Sequence, residues 1–144
     1  MTRDEFLQKL DRERLAAAIG SAEQATSGEI RVHVQPKAGG EIRAVAEKTF
    51  ERLGMTRTAL RNGVLLFIAS GEQRFVILGD AGIDEKVPAG FWDEIAARLT
   101  IRFRAGEFTD GIVEAVTAAG QQLKAYFPRA ADDVNELPDD ISVD

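Results

Sequence analysis

Residues 62–84, NGVLLFIASGEQRFVILGDAGID, constrain the fold more than any other part of this chain. Val64 to Ala69 is apolar throughout, the pattern of a strand buried on both faces. Phe75 to Leu78 repeats that pattern after Ser70, Gly71, Glu72 and Gln73 supply a turn. The pair reads as a hairpin at the centre of an α/β sheet. Hairpin strands run antiparallel, so Arg61 and Asn62 before the first strand share a sheet edge with Asp80 and Asp84 after the second. That edge is where function is expected.

The flanking chain supplies the cover. Asp4 to about Ala25 is helical in composition, with Asp11 placed to cap a second helix. Thr26, Ser27 and Gly28 end it, and Ile30, Val32 and Val34 alternate with Arg31, His33 and Gln35 as in a half-exposed strand closed by Pro36 to Gly40. From Glu41 to Leu53, Ile42, Val45, Ala46, Phe50 and Leu53 recur at helical spacing before Gly54, which makes a strand–helix–strand crossover of a length suited to a parallel pair. The start of that first strand then joins the same edge. Further on, Pro88 reads as the first turn of a helix carrying Phe91, Trp92, Ile95, Leu99 and Phe103, and a last helix spans roughly Thr109 to Tyr126.

The length of 144 residues fits one domain, residues 1–128, with an acidic tail over 129–144. The formal charge is −6, and −5 of it lies in that tail, so the body is nearly neutral. No clustered basic surface suits a phosphate backbone, which argues against a nucleic-acid partner. The absence of cysteine excludes disulfides, thiolate metal sites and cysteine nucleophiles. No apolar run reaches the length of a signal-peptide core or a membrane span, which points to a soluble, cytoplasmic protein.

The candidate chemistry gathers at the shared edge: Ser27 and Glu29, then Thr58, Arg61 and Asn62, then Asp80, Asp84 and Glu85. Carboxylate, amide and hydroxyl oxygens brought together from separate loops suit a hard cation such as Ca²⁺ or Mg²⁺. In GDAGID, Gly79 and Gly82 free the backbone to turn toward a bound group while Asp80 and Asp84 supply charge. Aspartate beside glycine is also ordinary turn chemistry. Arg61 reads either as an ion-pair partner of Asp80 or Asp84 or, beside a metal, as a clamp on a phosphate oxygen. His33, the single histidine, lies mid-strand away from this cluster and reads as a partly buried structural residue. Trp92, Phe91, Phe103 and Phe108 read as a packing stripe. With no nucleophile beside a base, binding is favoured over catalysis.

Taken together, TSGEIRVHV, LGMTRTALRNGVLLFIA, RFVILGDAGIDEKVPAGFW and GIVEAVTAAGQQLKAYFP followed by NELPDDI resemble the TPM domain family over roughly residues 28–127. The resemblance implies a Rossmann-like, three-layer α/β/α sandwich whose central, mostly parallel sheet carries one hairpin. It also implies a divalent-cation site in acidic loops at one end of the sheet, carried here by Asp80 and Asp84 with Thr58, Arg61 and Asn62 nearby. Glu29 follows either as a further ligand or as a bridge to the core. Some plant members of that family are described as acid phosphatases, and several members as binders of calcium or other divalent cations. The resulting expectation is a Ca²⁺- or Mg²⁺-binding module that orders its loops for a protein partner, with a metal-dependent phosphomonoesterase as the alternative.

Overall fold

The computed structural model describes residues 2–129 and 141–144. Helices α1 (Arg3–Gln8) and α2 (Arg12–Gln24) are separated at Asp11, whose carboxylate accepts the Arg14 amide at 3.0 Å and caps α2. Strand β1 (Glu29–Gln35) leads through α3 (Ile42–Arg52) to β2 (Gly63–Ala69). A 3₁₀ turn over Ser70–Glu72, closed by Gln73 at φ 54°, returns the chain as β3 (Arg74–Gly79). One helical turn, α4 (Ala81–Asp84), precedes α5 (Phe91–Arg104) and α6 (Phe108–Tyr126), and β4 (Ser142–Val143) completes the sheet.

The sheet order is β3-β2-β1-β4, with β2 parallel to β1, β4 parallel to β1 and the β2–β3 hairpin antiparallel. This is the mostly parallel sheet with one hairpin that the sequence suggests. All seven residues of β2 are buried. On one face Leu65, Phe67, Ala69 and Leu78 pack beneath Ala46 and Phe50 of α3 and Met55. On the other, Val64, Leu66, Ile68 and Ile77 join Ile30, Val32 and Val34 beneath α2, α5 and α6, chiefly Leu15, Ile19, Leu99, Ile112, Val116 and Leu123. Each of the larger apolar side chains among these contributes about 1.5–3 kcal/mol by leaving water.

Two local expectations are corrected. β1 is not half-exposed: His33 is fully buried and stacks on Phe67 with ring centroids 5.7 Å apart. Its polar atoms tolerate burial because they are satisfied. Nδ1 lies 2.9 Å from Ser142 Oγ, and Nε2 lies 3.0 Å from Gln35 Oε1 and 3.2 Å from Asp144 Oδ2. Pro88 lies outside α5, which starts at Phe91 behind Gly90 at φ 78°, and the Pro88 carbonyl accepts the Phe91 amide at 3.1 Å. Of the acidic tail, residues 130–140 fall outside the described residues. Residues 141–144 bring Ile141 into the core and β4 against β1, where Arg3 Nη1 donates to the Asp144 carbonyl at 2.6 Å and Arg52 pairs with the Asp144 carboxylate. Among the described residues no helix is long and apolar enough to cross a membrane.

Burial lowers the His33 pKa below its ordinary 6.5, outweighing the upward push of the Gln35 hydrogen bond and the Asp144 charge. The unfolded chain therefore takes up this proton first, and stability falls as pH drops below about 6.5. An NMR titration of this single imidazole is expected to show a midpoint below 6.5, with urea unfolding reporting the matching loss on the acid side.

Candidate functional site

The parallel register sets Glu29 beside Gly63, and the hairpin register sets Gly79 beside Val64, so the entries of β1 and β2 and the exit of β3 meet at one end of the sheet. Backbone hydrogen bonds tie the three together. Glu29 donates to the Asn62 carbonyl at 3.3 Å, and Asp80 donates to the Gly63 carbonyl at 2.9 Å. Thr58 Oγ1 accepts the Asn62 amide at 3.2 Å, and Asn62 Nδ2 donates to Ser27 Oγ at 3.3 Å. Thr58, Asn62 and Glu29 are buried here.

Asp80 is the centre of this end. Its side chain is only 8 % exposed, and its carboxylate takes two hydrogen bonds from Arg61, from Nε at 2.6 Å and Nη2 at 2.8 Å. Oδ1 also accepts the Ala81 amide at 2.8 Å, which caps α4. A planar guanidinium against a carboxylate is the strong form of this interaction. Those hydrogen bonds, with the Asp80 charge, raise the Arg61 pKa further above its ordinary range.

Arg61 pays for its position with backbone conformation. It adopts φ 52°, in the left-handed region that long side chains rarely occupy. The turn is locked from the other side by Gly82, whose amide donates to the Arg61 carbonyl at 2.8 Å. A Cβ on Gly82 would sit 2.1 Å from the Leu60 carbonyl oxygen and 2.7 Å from that of Arg61. Gly79 is equally confined, since a Cβ there would lie 2.5 Å from Trp92 Cζ2. These two glycines thus serve close approach of neighbouring groups, and neither has the positive φ of a freely turning loop. GDAGID is a capped helical turn.

The expected ligands divide. Arg61 holds Asp80, whereas Thr58, Asn62 and Ser27 are joined by separate hydrogen bonds at the same end of the sheet, and Glu29 enters that end through its backbone, its side chain buried at the foot of β1. Asp84 turns away: its Oδ1 accepts Trp92 Nε1 at 2.9 Å, and it lines a separate cleft of about 290 Å³ beside Phe91 and Trp92. Asp80 instead opens on a cleft of about 240 Å³ shared with Glu47, Glu51, Thr56 and Arg43. Glu47 and Glu51 lie one turn apart on an exposed flank of α3, beside the Ala46 and Phe50 face that packs on the sheet. That i, i+4 carboxylate pair was the available sequence signal for this wall of the cleft. Glu47 is paired with Arg43 at 3.6 Å. Among the described residues no three His, Cys, Asp or Glu side chains gather closely enough to hold a metal ion. The donors are of the hard-oxygen kind that Ca²⁺ and Mg²⁺ take, and the leading carboxylate is already engaged by a guanidinium.

These features define a three-layer α/β protein with an antiparallel edge strand and a polar, arginine-locked aspartate at the amino ends of its parallel strands. The TPM domain family model matches residues 1–122, and the chain belongs to that family. The NMR structure of the BA42 protein from the psychrophilic bacterium Bizionia argentinensis is similar to it, with a TM-score of 0.85 and 39 % identity over 94 % of this chain and 95 % of that one. No curated protein matches the chain.

Asp80→Asn removes the charge from a buried bidentate pair and is expected to lower stability by about 1.5–3 kcal/mol in urea unfolding. Arg61→Gly leaves the buried Asp80 carboxylate without its guanidinium and is expected to cost at least as much as Asp80→Asn, since glycine's relief of the left-handed backbone offsets only part of that loss. Gly82→Ala, driven into two carbonyl oxygens, is expected to cost about 1–3 kcal/mol by the same measurement.

Proposed function

We propose that this TPM domain is a divalent-cation-binding module whose site is the Asp80 end of the sheet. The observation that carries the reading is the buried Asp80 carboxylate, held by an arginine in left-handed backbone conformation at the mouth of an acidic cleft. Strain retained at one polar position points to a role for that position beyond turn formation. In this reading Arg61 compensates the Asp80 charge while no cation is bound and swings aside when one enters. Asp80 is the leading ligand, with Asn62 and Thr58 as neutral oxygen donors or water-mediated contacts and Glu47 and Glu51 adding negative potential from α3. Asp84 contributes by releasing Trp92, and Glu29 by fixing the foot of β1 or joining the ligand set. The physiological ion is Ca²⁺ or Mg²⁺, and its binding orders the loops for a protein partner. One leading carboxylate with neutral donors suits weak binding, with Kd of about 10⁻⁴–10⁻³ M.

A second reading rests on the half-exposed Arg61 guanidinium. Beside a cation on Asp80 it is placed to clamp a phosphate oxygen, which would make the site a metal-dependent phosphomonoesterase.

Calorimetric titration of chelator-treated protein with Ca²⁺ and then Mg²⁺ tests the first reading. Saturable binding that is lost in Asp80→Asn is expected, and no binding of either ion at millimolar concentration would overturn it. Metal-dependent hydrolysis of an aryl phosphate that falls by at least ~100-fold in Asp80→Asn would move the site to the enzymatic reading.

A further inference from the structure

The other end of the sheet carries a second feature that is independent of Asp80. Beyond the carboxyl end of β2, where open α/β sheets ordinarily receive ligands, lies a cavity of about 520 Å³ between the hairpin and helices α1, α5 and α6. That volume is in the range of small-molecule sites. Its floor is a cluster of four phenylalanines. Phe103 sits edge-on to Phe6, Phe75 and Phe108 with centroids 6.0, 5.6 and 5.3 Å apart, and Phe6 and Phe108 are 5.2 Å apart. Phe75, Phe103 and Phe108 are only partly buried, so apolar surface is left uncovered toward the cavity. Helix packing explains the ring cluster but not the space in front of it.

The charged residues of the lining are both cationic. Arg74 and Arg104 line the cavity together with Ser70, Gln73 and Thr100, and among the described residues no carboxylate lines it. That is a marked local imbalance in a chain with 24 acidic and 18 basic residues. Arg74 is compensated by Glu72 at 3.1 Å. Arg104, in the last turn of α5, is exposed and makes no ion pair with the described residues.

We propose that this cavity binds an amphipathic carboxylate: an alkyl or aryl body of roughly eight carbons against the four phenylalanines, with its carboxylate on Arg104. The ring cluster supplies non-directional apolar cover, and the guanidinium selects the anion and sets which way the ligand points. A neutral body of the same size gains only the first contribution. An ammonium of the same size meets two guanidiniums.

Titration of the full chain with octanoate, 1-octanol and octylamine, followed by amide NMR shifts, tests this. Octanoate is expected to bind saturably and to move the amides of Phe75, Thr100, Phe103 and Phe108, with octanol weaker and octylamine weakest. Shortening to hexanoate removes two methylenes and is expected to weaken binding by about 15-fold. Arg104→Gln, at an exposed position, is expected to weaken octanoate by about 10-fold and leave octanol unchanged. Thr100→Trp fills the cavity and is expected to abolish binding of both while helical circular dichroism is kept. Equal affinity for octanoate and octanol, an unchanged octanoate affinity in Arg104→Gln, shifts centred elsewhere, or no saturable binding below millimolar concentration would each overturn the proposal. The cation reading is untouched by any of these outcomes, because Asp80 and Arg61 lie at the opposite end of β2.

Discussion

Strand β2 depends on cover from both sides, and the rest of the molecule is arranged to provide it. With all seven residues buried, it cannot lie at a solvated edge, so one layer of helix must sit on each face and a strand along each side. The two covers are unequal. A single helix, α3, with the Met55 turn closes one face, whereas α2, α5 and α6 close the other. The thinner cover leaves room beside α3, and it is there that the cleft between Glu47, Glu51 and Asp80 opens.

This dependence explains what could be read in advance. The apolar run of β2, its near repeat in β3 and the crossover through α3 are periodic signals, and they were enough to place the foot of β1, the Arg61–Asn62 entry and Asp80 at one end. The Asp11 cap between α1 and α2 was legible for the same reason, since it is local. The orientation of Asp84 was not legible, because it is fixed by a hydrogen bond to Trp92 on a different helix. Nor was the completeness of His33's burial, because alternation along β1 reports side-chain polarity and not the presence of Phe67, Gln35 and Ser142 around the ring. The role of the glycines in GDAGID was misplaced in an instructive way. Glycine marks both free turning and close approach, and only the distances to Leu60, Arg61 and Trp92 separate the two.

The chemistry of the two ends of the sheet differs in sign. At the amino ends of β1 and β2 a buried carboxylate is matched by one arginine, with further carboxylates across a cleft. At the carboxyl end of β2 two arginines face a cavity that no carboxylate of the described residues lines. The hairpin sets part of each: Arg61 and Asp80 flank its open end and Arg74 follows its turn, while Arg104 comes from α5. A chain with a nearly neutral body therefore presents two local fields of opposite sign along one strand, separated by the length of β2.

The Arg61–Asp80 pair explains how such a domain could fold without a ligand and still hold one. A carboxylate left alone at this depth would be costly, and removing one member of a buried pair is more damaging than never having had it. Arg61 meets that cost from a side chain that is itself 51 % exposed, so it can leave for solvent without a second desolvation. The left-handed φ of Arg61 works in the same direction, because the backbone strain is retained only while Gly82 and Asp80 both hold the turn. A cation that replaced the guanidinium would preserve the charge balance of Asp80 and exchange one compensating positive group for another. On the proposed reading, the affinity of the site is then set by the difference between those two partners for the same carboxylate, which is why it should be weak and why it should depend on Arg61 as much as on Asp80.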